Sequence, residues 1–246
     1  MLTCHSGWGR TAKTKAERGL TGTTDRVLSD ITSMLSTLFP SPVPVFLMGH
    51  SMGGAEVLTY ASIGPKEMVS KLRGVISSAP LIALHPTTRP WKVTVRAGRL
   101  AGKLLPHFQL VNKLDKKWLS HDDEANQRWS EDPLNHDTGT LEGIANMLDR
   151  AEQLEEGKLK IKDDAMEGGK SRLWLGHGTD DHINLYDASK KYMDECPVKD
   201  KTFKTYEGWY HNLHGELEKG RFHEDVSSWI LARLDTAEGA ESQAKL

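Results

Sequence analysis

The sequence is poor in cysteine and shows no excess of charge of either sign. Its 246 residues include 2 cysteines, Cys4 and Cys196, which form no C-x-x-C pair, so the sequence predicts neither a disulfide framework nor a zinc knuckle. We therefore expect two free thiols in a reducing compartment. The 32 lysine and arginine residues nearly balance the 34 aspartate and glutamate residues, and the net charge of −2 argues against a nucleic-acid-binding protein.

Long hydrophobic runs are missing as well. The longest uncharged stretch spans residues 31–55, and it is interrupted by Pro40, Pro42 and Pro44, so it does not predict a transmembrane helix. Residues 1–5 have neither the basic start nor the apolar core of a signal peptide. We therefore expect a cytoplasmic protein.

What the sequence does contain is an alternation of strand and helix patterns. Apolar residues at helical spacing predict a helix that begins near Thr24 and ends before Pro40. The apolar run over residues 43–48 predicts a strand buried on both faces. A helix is expected over 55–63 and a second strand around 74–76. Strand, helix and strand in this order predict a βαβ unit, and therefore an α/β fold with a mostly parallel sheet.

Between residues 84 and 170 the sequence becomes rich in charge and proline, with helical periodicity. We interpret this segment, called the cap below, as a helical lid inserted into the sheet domain. The alternation resumes after it, with strands expected over 172–175 and 201–206 and helices over 187–195 and 222–234. The chain is thus divided into a first core part (1–83), the cap (84–170), a second core part (171–235) and a disordered tail (236–246).

A nucleophile-elbow pattern lies between the first predicted strand and the helix that follows it. Residues 49–53 fit G-x-S-x-G, in which the central serine, Ser51, occupies a tight strand-to-helix turn. The flanking glycines are expected to crowd each other, so Gly49 and Gly53 should both have to be very small. Gly54 should let the helix pack closely on its strand. The alternative interpretation is an ordinary glycine-rich loop.

A serine hydroxyl becomes a strong nucleophile only when a base accepts its proton and an acid orients that base. In α/β-hydrolases the acid and then the histidine follow the serine, on loops after later strands. One candidate loop contains the adjacent residues Asp180 and Asp181, and the next contains His211 and His214. Spacing alone leaves both choices open.

The other histidines are interpreted as structural. His50 and His177 are expected to pack or hydrogen-bond within their loops. His121 and His136 each precede acidic residues, but a solvated cap surface is favoured over a metal site because no second cluster with ligand spacing supports one. No metal is predicted.

Three segments together resemble monoacylglycerol lipases, most closely the fungal members of the serine-aminopeptidase-like (S33) α/β-hydrolases. They are Gly-His-Ser-Met-Gly-Gly at 49–54, His-Gly-Thr-Asp-Asp at 177–181 and Tyr-Glu-Gly-Trp-Tyr-His-Asn-Leu-His-Gly-Glu at 206–216, and residues 7–10 and 132–140 extend the likeness. The resemblance implies the α/β-hydrolase fold with Ser51 as nucleophile. It implies that Asp181, last in the family's H-G-T-x-D element, is the acid, and that His211, first in its Y-H-x-x-H element, is the base. The backbone N–H of Met52 would donate to the oxyanion, and no cofactor is needed.

The same resemblance implies an ester hydrolase that converts a monoacylglycerol to glycerol and a fatty acid through an acyl-enzyme. A lysophospholipase, a thioesterase or a general carboxylesterase is the alternative within the superfamily, and a catalytically impaired hydrolase-like protein is the alternative outside it. In the family, an early strand and an H-G-x-G-type loop supply a second oxyanion donor, and nothing before Gly7 matches them. We therefore expect an N-terminally truncated, feebly active form with an unpaired edge along residues 43–48.

A predicted amphipathic helix in the cap bears on the substrate and on the location of the protein. Its apolar stripe contains Ala97, Leu100, Ala101, Leu104 and Leu105, and its basic face contains Arg96, Arg99 and Lys103. Such a helix can lie on an anionic membrane or a lipid droplet with its apolar face buried. Equally, the stripe can pack on the core of the protein while the basic face is solvated. Both alternatives stay open, and a small lipid ester is the expected substrate.

Overall fold

The computed structural model describes residues 5–89 and 92–234, and it gives side chains for all of them except 92–97. Two predictions lie outside the described residues, namely the free thiol of Cys4 and the disordered tail over 236–246. Cys196 is described, and its thiol is buried and free, as predicted.

In the described residues, six strands form two sheets. The strands are β1 (Phe46–His50), β2 (Gly74–Ser78), β3 (Gln109–Val111), β4 (Thr138–Thr140), β5 (Arg172–Gly178) and β6 (Asp200–Tyr206). The larger sheet is parallel throughout and has the order β1-β2-β5-β6. The four strands predicted for the core are all present, and the prediction of a mostly parallel sheet is confirmed.

The first strand departs from its prediction. Residues 43–48 are expected to be buried on both faces, but Met48 is 48% exposed and Val43 is 65% exposed. In the described part of the chain β1 pairs only with β2, so it is an edge strand. A strand at the edge of a sheet has a neighbour on one side only, which explains the exposure. The prediction of two buried faces is therefore wrong, and β1 forms an edge of the sheet within the described residues.

The described helices are distributed along the whole chain. They are α1 (Thr24–Ser36), α2 (Met52–Ile63), α3 (Lys66–Val69), α4 (Lys92–Leu104), α5 (Asp123–Glu131), α6 (Leu141–Glu155), α7 (Tyr186–Glu195) and α8 (Lys219–Leu231). The first begins at an N-cap, because Thr23 accepts a hydrogen bond from the N–H of Arg26. Within 5–89 and 92–234, no helix combines the length and apolar character needed to cross a membrane.

Alternate residues of the central strands belong to two different apolar clusters, as the period of two in a strand requires. Val75 and Leu173 pack in the larger cluster with residues of α2 and α7, whereas Ile76 and Trp174 pack in the smaller cluster with Trp229 of α8. Helices therefore cover both faces of the sheet. This arrangement leaves the carboxyl ends of the strands to the loops that carry the candidate residues.

In its described residues, the cap contains the α-helices α4, α5 and α6 and a small antiparallel sheet of two strands. The sheet pairs β3 with β4, with Leu110 opposite Gly139. The prediction of a helical pattern throughout the cap is wrong at this sheet, because strands of three residues are too short to give a visible alternation. Ala151 and Leu154 of α6 are buried in the larger cluster of the core. The exact boundaries of the cap stay a prediction.

Candidate active site

Ser51 lies at the junction of β1 and α2 in an unusual backbone conformation. Its φ is 56° and its ψ is −118°, and its N–H donates to the carbonyl oxygen of Ser78 over 2.9 Å. Among the described residues, Ser51 and Ala79 are the two non-glycine residues with a positive φ. A backbone held in such a region costs on the order of 1–3 kcal/mol and persists only when the surrounding structure imposes it. The turn therefore has the geometry of a nucleophile elbow.

The glycines around the elbow are not equivalent. A Cβ at Gly49 would lie 2.1 Å from the carbonyl oxygen of Gly53, so no side chain fits at position 49. A Cβ at Gly53 would meet no atom of the described residues within 4 Å, so the predicted size restriction at Gly53 is wrong. The crowding is one-sided because the backbone of residue 53, and not the direction of its Cβ, approaches Gly49. Gly54 does permit close packing, since a Cβ there would lie 3.0 Å from Cα of Pro80.

Ser51, Asp181 and His211 meet in one hydrogen-bonded chain. They lie in the turn after β1, in the loop after β5 (residues 179–185, the acid loop) and in the loop after β6 (residues 207–218, the base loop). Oγ of Ser51 lies 2.9 Å from Nε2 of His211, and Nδ1 of His211 lies 2.8 Å from Oδ2 of Asp181. An ionised carboxylate can only accept, so Nδ1 carries the imidazole proton and Nε2 is left to accept the serine proton. This is the geometry in which an imidazole removes the proton of an attacking serine.

The two adjacent aspartates of the acid loop have different environments. Asp181 is 3% exposed, and its Oδ1 accepts the N–H groups of Ile183 (2.8 Å) and Asn184 (2.9 Å). Asp180 is exposed, and its Oδ1 lies 3.3 Å from Oγ1 of Thr179. The buried and fully hydrogen-bonded carboxylate is therefore the one that contacts the histidine.

A second histidine supports Asp181. Nε2 of His177 lies 3.0 Å from Oδ2 of Asp181, and Nδ1 of His177 lies 2.8 Å from Oγ of Ser189. Burial raises the pKa of the Asp181 carboxyl, but electrostatic attraction to His211 and His177 and their hydrogen bonds outweigh burial and hold that pKa far below its usual range. The sequence predicts that His177 hydrogen-bonds within its loop, which is confirmed, but it does not identify the partner. The spacing of four residues between His177 and Asp181 is the signal that could have done so.

The rings of His50 and His214 lie near His211, the candidate base. His211 contacts Ser51, while the ring of His214 packs edge-on against the ring of His50 with 4.9 Å between centroids. Burial lowers the pKa of His50 well below its ordinary value, and the neighbouring His211 and His214 lower it further. Nε2 of His50 lies 3.1 Å from Oδ1 of Asn212, so a neutral His50 donates to the base loop. His50 therefore packs and hydrogen-bonds, as predicted, but its partner Asn212 lies in the loop after β6 rather than in the loop of His50 itself.

Met52 is the candidate oxyanion donor. It is the first residue of α2, and the first N–H groups of a helix have no acceptor within the helix. The same helix end carries a partial positive charge, which favours an anion in front of it. The N–H of Met52 is thus available to an oxygen that becomes negative beside Ser51.

The two histidines weighed as metal ligands have other contacts. Nδ1 of His121 lies 3.1 Å from Oε1 of Glu216, and Nε2 of His136 lies 3.0 Å from the carbonyl oxygen of Gly7. The ring of His136 also stacks on Trp8. Within the described ranges, no three histidine, cysteine or acidic side chains are grouped so that they could hold a metal ion.

A comparison with known families finds a match to the model described as "Serine aminopeptidase, S33", over residues 3–218. Among curated proteins, the chain is 31% identical over 240 residues to one from Schizosaccharomyces pombe named "Putative monoglyceride lipase", covering 96% of this chain and 61% of that protein. It is 31% identical over 192 residues to a monoglyceride lipase of Saccharomyces cerevisiae, covering 76% of this chain and 60% of that protein. The chain thus spans about 60% of the length of these relatives.

Solved structures with similar folds agree with these relatives. A soluble variant of the monoglyceride lipase from Saccharomyces cerevisiae, in complex with a substrate analog, superposes with a TM-score of 0.80 at 28% identity, covering 94% of this chain and 76% of that one. The monoacylglycerol lipase of Paleococcus ferrophilus superposes with a TM-score of 0.77 at 30% identity, covering 93% of this chain and 81% of that one.

Proposed function

The chain belongs to the serine aminopeptidase (S33) family of α/β-hydrolases, and we propose that it is a serine hydrolase that cleaves monoacylglycerols into glycerol and a fatty acid. The observation that carries this proposal is the hydrogen-bonded chain from Ser51 through His211 to Asp181 at a strained elbow. The names of the relatives support a glycerol ester as the substrate.

In the proposed reaction, Oγ of Ser51 attacks the ester carbonyl while Nε2 of His211 takes the hydroxyl proton. The ionised Asp181 stabilises the imidazolium that forms. His211 then returns the proton to the departing glycerol oxygen, which leaves the acyl group on Ser51. A water molecule gives a proton to His211 and attacks the acyl carbonyl; the acyl–Oγ bond then breaks, His211 returns the proton to Oγ of Ser51, and the fatty acid is released.

The tetrahedral intermediate carries a negative oxygen that needs hydrogen-bond donors. In this proposal the N–H of Met52 is one such donor, at the positive end of α2. Removal of a single oxyanion donor typically lowers kcat by about 10²–10³-fold, so donors at this position contribute strongly to the rate.

The nucleophile is tested by labelling with a fluorophosphonate probe. We expect Ser51→Ala to abolish labelling and turnover, because the Ser51 hydroxyl lies 2.9 Å from Nε2 of His211, whose other ring nitrogen contacts the carboxylate of Asp181. Ser70→Ala changes an exposed serine whose Oγ bonds only the backbone of Glu67, and it should label as the wild type does. Undiminished labelling of Ser51→Ala would show that the nucleophile lies elsewhere.

The substrate class requires a separate comparison, because the same triad can act on lysophospholipids, thioesters and simple carboxylic esters. Purified protein is offered monoacylglycerol, a lysophospholipid, an acyl thioester and a short p-nitrophenyl ester side by side. We expect the highest kcat/KM for the monoacylglycerol. A clear preference for another ester would support the corresponding alternative, and uniformly feeble turnover would support a catalytically impaired hydrolase-like protein.

We further propose that the cap contacts lipid surfaces through an exposed apolar patch. Leu100 and Leu104 of α4 are 64% and 77% exposed, and Leu105, Phe108 and Val111 continue the patch at 58%, 55% and 66%. The alternative in which the leucine stripe packs on the core of the protein does not fit these exposures. Large apolar side chains exposed so close together along the chain, between residues 100 and 111, support peripheral membrane or lipid-droplet contact.

The basic face of α4 is less free than its sequence suggests. Arg99 forms ion pairs with Asp149 (2.5 Å) and Glu152 (2.6 Å) of α6, so its charge is paired within the cap. The side chain of Arg96 lies outside the described residues. Lys103 is exposed, and it is the described basic residue of α4 best suited to an anionic lipid. The apolar patch therefore carries more of the proposed contact than the basic face does.

Lipid contact is tested by replacing exposed leucines. The double variant Leu100→Ser, Leu104→Ser should bind anionic vesicles more weakly and lose activity on monoacylglycerol dispersions, while retaining activity on a soluble short ester. The matched control Leu231→Ser changes a leucine of α8 that is 63% exposed, and it should leave both activities unchanged. An equal loss on both substrates would mean that α4 serves folding or pocket shape instead.

A further inference from the structure

Glu216 is a buried carboxylate that lies outside the triad but next to it. It follows the short 3₁₀ turn Leu213–Gly215, five residues after His211, and it is 2% exposed. A buried charge without partners would be strongly destabilising. The groups that donate hydrogen bonds to this carboxylate therefore show which segments of the chain it connects.

The donors to Glu216 come from two different parts of the chain. Oε1 accepts the N–H of Tyr210 over 2.8 Å, and Tyr210 immediately precedes the candidate base. Oε2 accepts the N–H of His121 over 3.0 Å, and Oγ of Ser120 lies 3.4 Å from the same oxygen. The ring nitrogen Nδ1 of His121 lies 3.1 Å from Oε1. One carboxylate thus joins the base loop to the cap.

The cap segment 118–121 runs along the base loop over several residues. The N–H of Asn212 donates to the carbonyl oxygen of Leu119 over 2.6 Å, and the hydroxyl of Ser120 donates to the carbonyl oxygen of Gly215 over 2.8 Å. The ring of His121 stacks on the ring of Tyr210 with 3.7 Å between centroids. These contacts hold the segment in one register against the base loop.

These contacts connect the backbone next to His211 with the docking of residues 118–121. If this segment moved away, Oε2 of Glu216 would lose its donors and become an unpaired buried acceptor, which costs free energy. The carboxylate would then turn toward other donors or water and release the N–H of Tyr210. Since Tyr210 precedes His211, the imidazole would lose part of what aligns it with Ser51.

We propose that Glu216 is a positioning residue that couples the cap to the candidate base, so that His211 is aligned with Ser51 while residues 118–121 are docked. This inference rests on the proposed function, because it assigns Glu216 a role in the same hydrolysis. Glu216 touches neither the substrate carbonyl nor the reacting serine, and it acts through the backbone of Tyr210. The coupling explains why a carboxylate is buried at the junction of two segments that are 95 residues apart.

The inference is tested with Glu216→Gln, which keeps the shape of the side chain but places an N–H₂ group against one of the N–H donors. The rate is measured on a soluble p-nitrophenyl ester and divided by the number of active sites titrated with a fluorophosphonate. We expect kcat per titrated site to fall by about ten- to a hundredfold, because a small misplacement of a catalytic group has effects of this size. KM should stay within about twofold. The matched control Glu218→Gln, an exposed glutamate two residues away, should behave as the wild type does.

A second variant keeps the test valid if Glu216→Gln fails to fold. His121→Phe keeps the ring stack on Tyr210, retains the backbone N–H and removes only the Nδ1 contact to Glu216. It lies in the cap and does not touch the triad, yet kcat per titrated site should fall severalfold. Unchanged kcat per site in both variants, or in His121→Phe alone if Glu216→Gln is unfolded, would overturn the inference.

A readout that does not depend on turnover separates this inference from the proposed function. The low-field NMR signal of the Nδ1 proton of His211, held by Asp181, should shift or broaden in Glu216→Gln and in His121→Phe and stay unchanged in Glu218→Gln. An unchanged signal in folded Glu216→Gln or His121→Phe would overturn the coupling. Absence of Ser51-dependent turnover in the wild type would contradict the proposed function, while the NMR signal would still decide the positioning role.

Discussion

Asp180 and Asp181 show how neighbouring residues of one type can differ in chemistry. One carboxylate is exposed, while the other accepts hydrogen bonds from two backbone N–H groups and lies within hydrogen-bond distance of two imidazoles. Because these contacts hold the pKa of Asp181 far below its usual range, it stays ionised whenever His211 becomes an imidazolium. Asp181, whose carboxylate these contacts keep ionised, is therefore the candidate for the residue that orients His211.

The Asp pair yields a direct prediction. Asp181→Asn should lower kcat by about 10⁴-fold, because an amide that donates toward Nδ1 stabilises the wrong tautomer of His211. Asp180→Asn is the matched control and should retain most of the activity. Steady-state kinetics on a short ester check both variants, and comparable losses in the two would contradict the assignment of the acid.

The two histidines of the base loop allow the same comparison. His211→Ala should lower kcat by a factor of about a thousand or more, since no other imidazole of the described residues hydrogen-bonds Ser51. His214→Ala removes a ring that packs on His50 and should cost far less. If His214→Ala proved the more damaging change, the base would be misassigned.

At the scale of secondary-structure elements, the strand-turn-helix from β1 to α2 depends on one close backbone approach. The carbonyl oxygen of Gly53 lies where a Cβ of residue 49 would have to be, whereas the Cβ direction of residue 53 is open within the described residues. At Gly49 any side chain would clash with the backbone, whereas at Gly53 the described residues leave room for a Cβ.

This asymmetry predicts opposite outcomes for two similar substitutions. Gly49→Ala should destabilise the elbow strongly, because a Cβ 2.1 Å from backbone forces the turn to shift. Gly53→Ala should be tolerated and should even stabilise α2 by up to about 1 kcal/mol, since alanine is a better helix former. Thermal unfolding and fluorophosphonate labelling of both variants provide the measurement. An equal loss of stability and labelling in the two variants would support the original prediction that both glycines must be small.

At the scale of the whole molecule, a buried ion pair joins the cap to the core. Arg150 of α6 and Glu56 of α2 are each 1% exposed, and Nη2 of the arginine lies 3.1 Å from Oε1 of the glutamate. His5 bonds the other carboxylate oxygen, and Nη1 of Arg150 lies 3.2 Å from Oγ1 of Thr24. The pair thus links α6 to the helix that begins directly after Ser51.

Removing one partner of this pair should be costly. Arg150→Met leaves Glu56 buried without its strongest cation, and the free energy of unfolding should fall by about 3–5 kcal/mol. The double variant Glu56→Gln, Arg150→Met should recover part of that loss. Arg128→Met breaks an exposed pair with Glu124 and should change stability by less than about 1 kcal/mol. Urea unfolding measures all three, and a loss as small as that of the exposed pair would contradict a structural role for the buried one.

Local patterns in the sequence were sufficient for the core architecture. The apolar residues around Val75 and Ile76 predicted β2. A strand that is buried on both faces consists of consecutive apolar residues instead of alternating apolar and polar ones, so it can be recognised in the sequence. The G-x-S-x-G pattern between a strand and a helix predicted the elbow at Ser51, because a tight turn restricts residue types locally. Elements of this kind depend on residues close together in the chain.

The tertiary structure decided what depends on contacts between distant segments. Spacing left Asp180 and Asp181 equivalent, and folding separated them by burying one against His211, 30 residues away. Glu216 ends one of the segments that resemble the family, but the sequence assigned it no role, because its proposed role depends on its contact with His121 in the cap. The exposure of Met48 likewise follows from which strands surround β1. Burial, ion pairing and alignment are properties of neighbours in space, and a single sequence does not specify which residues those neighbours are.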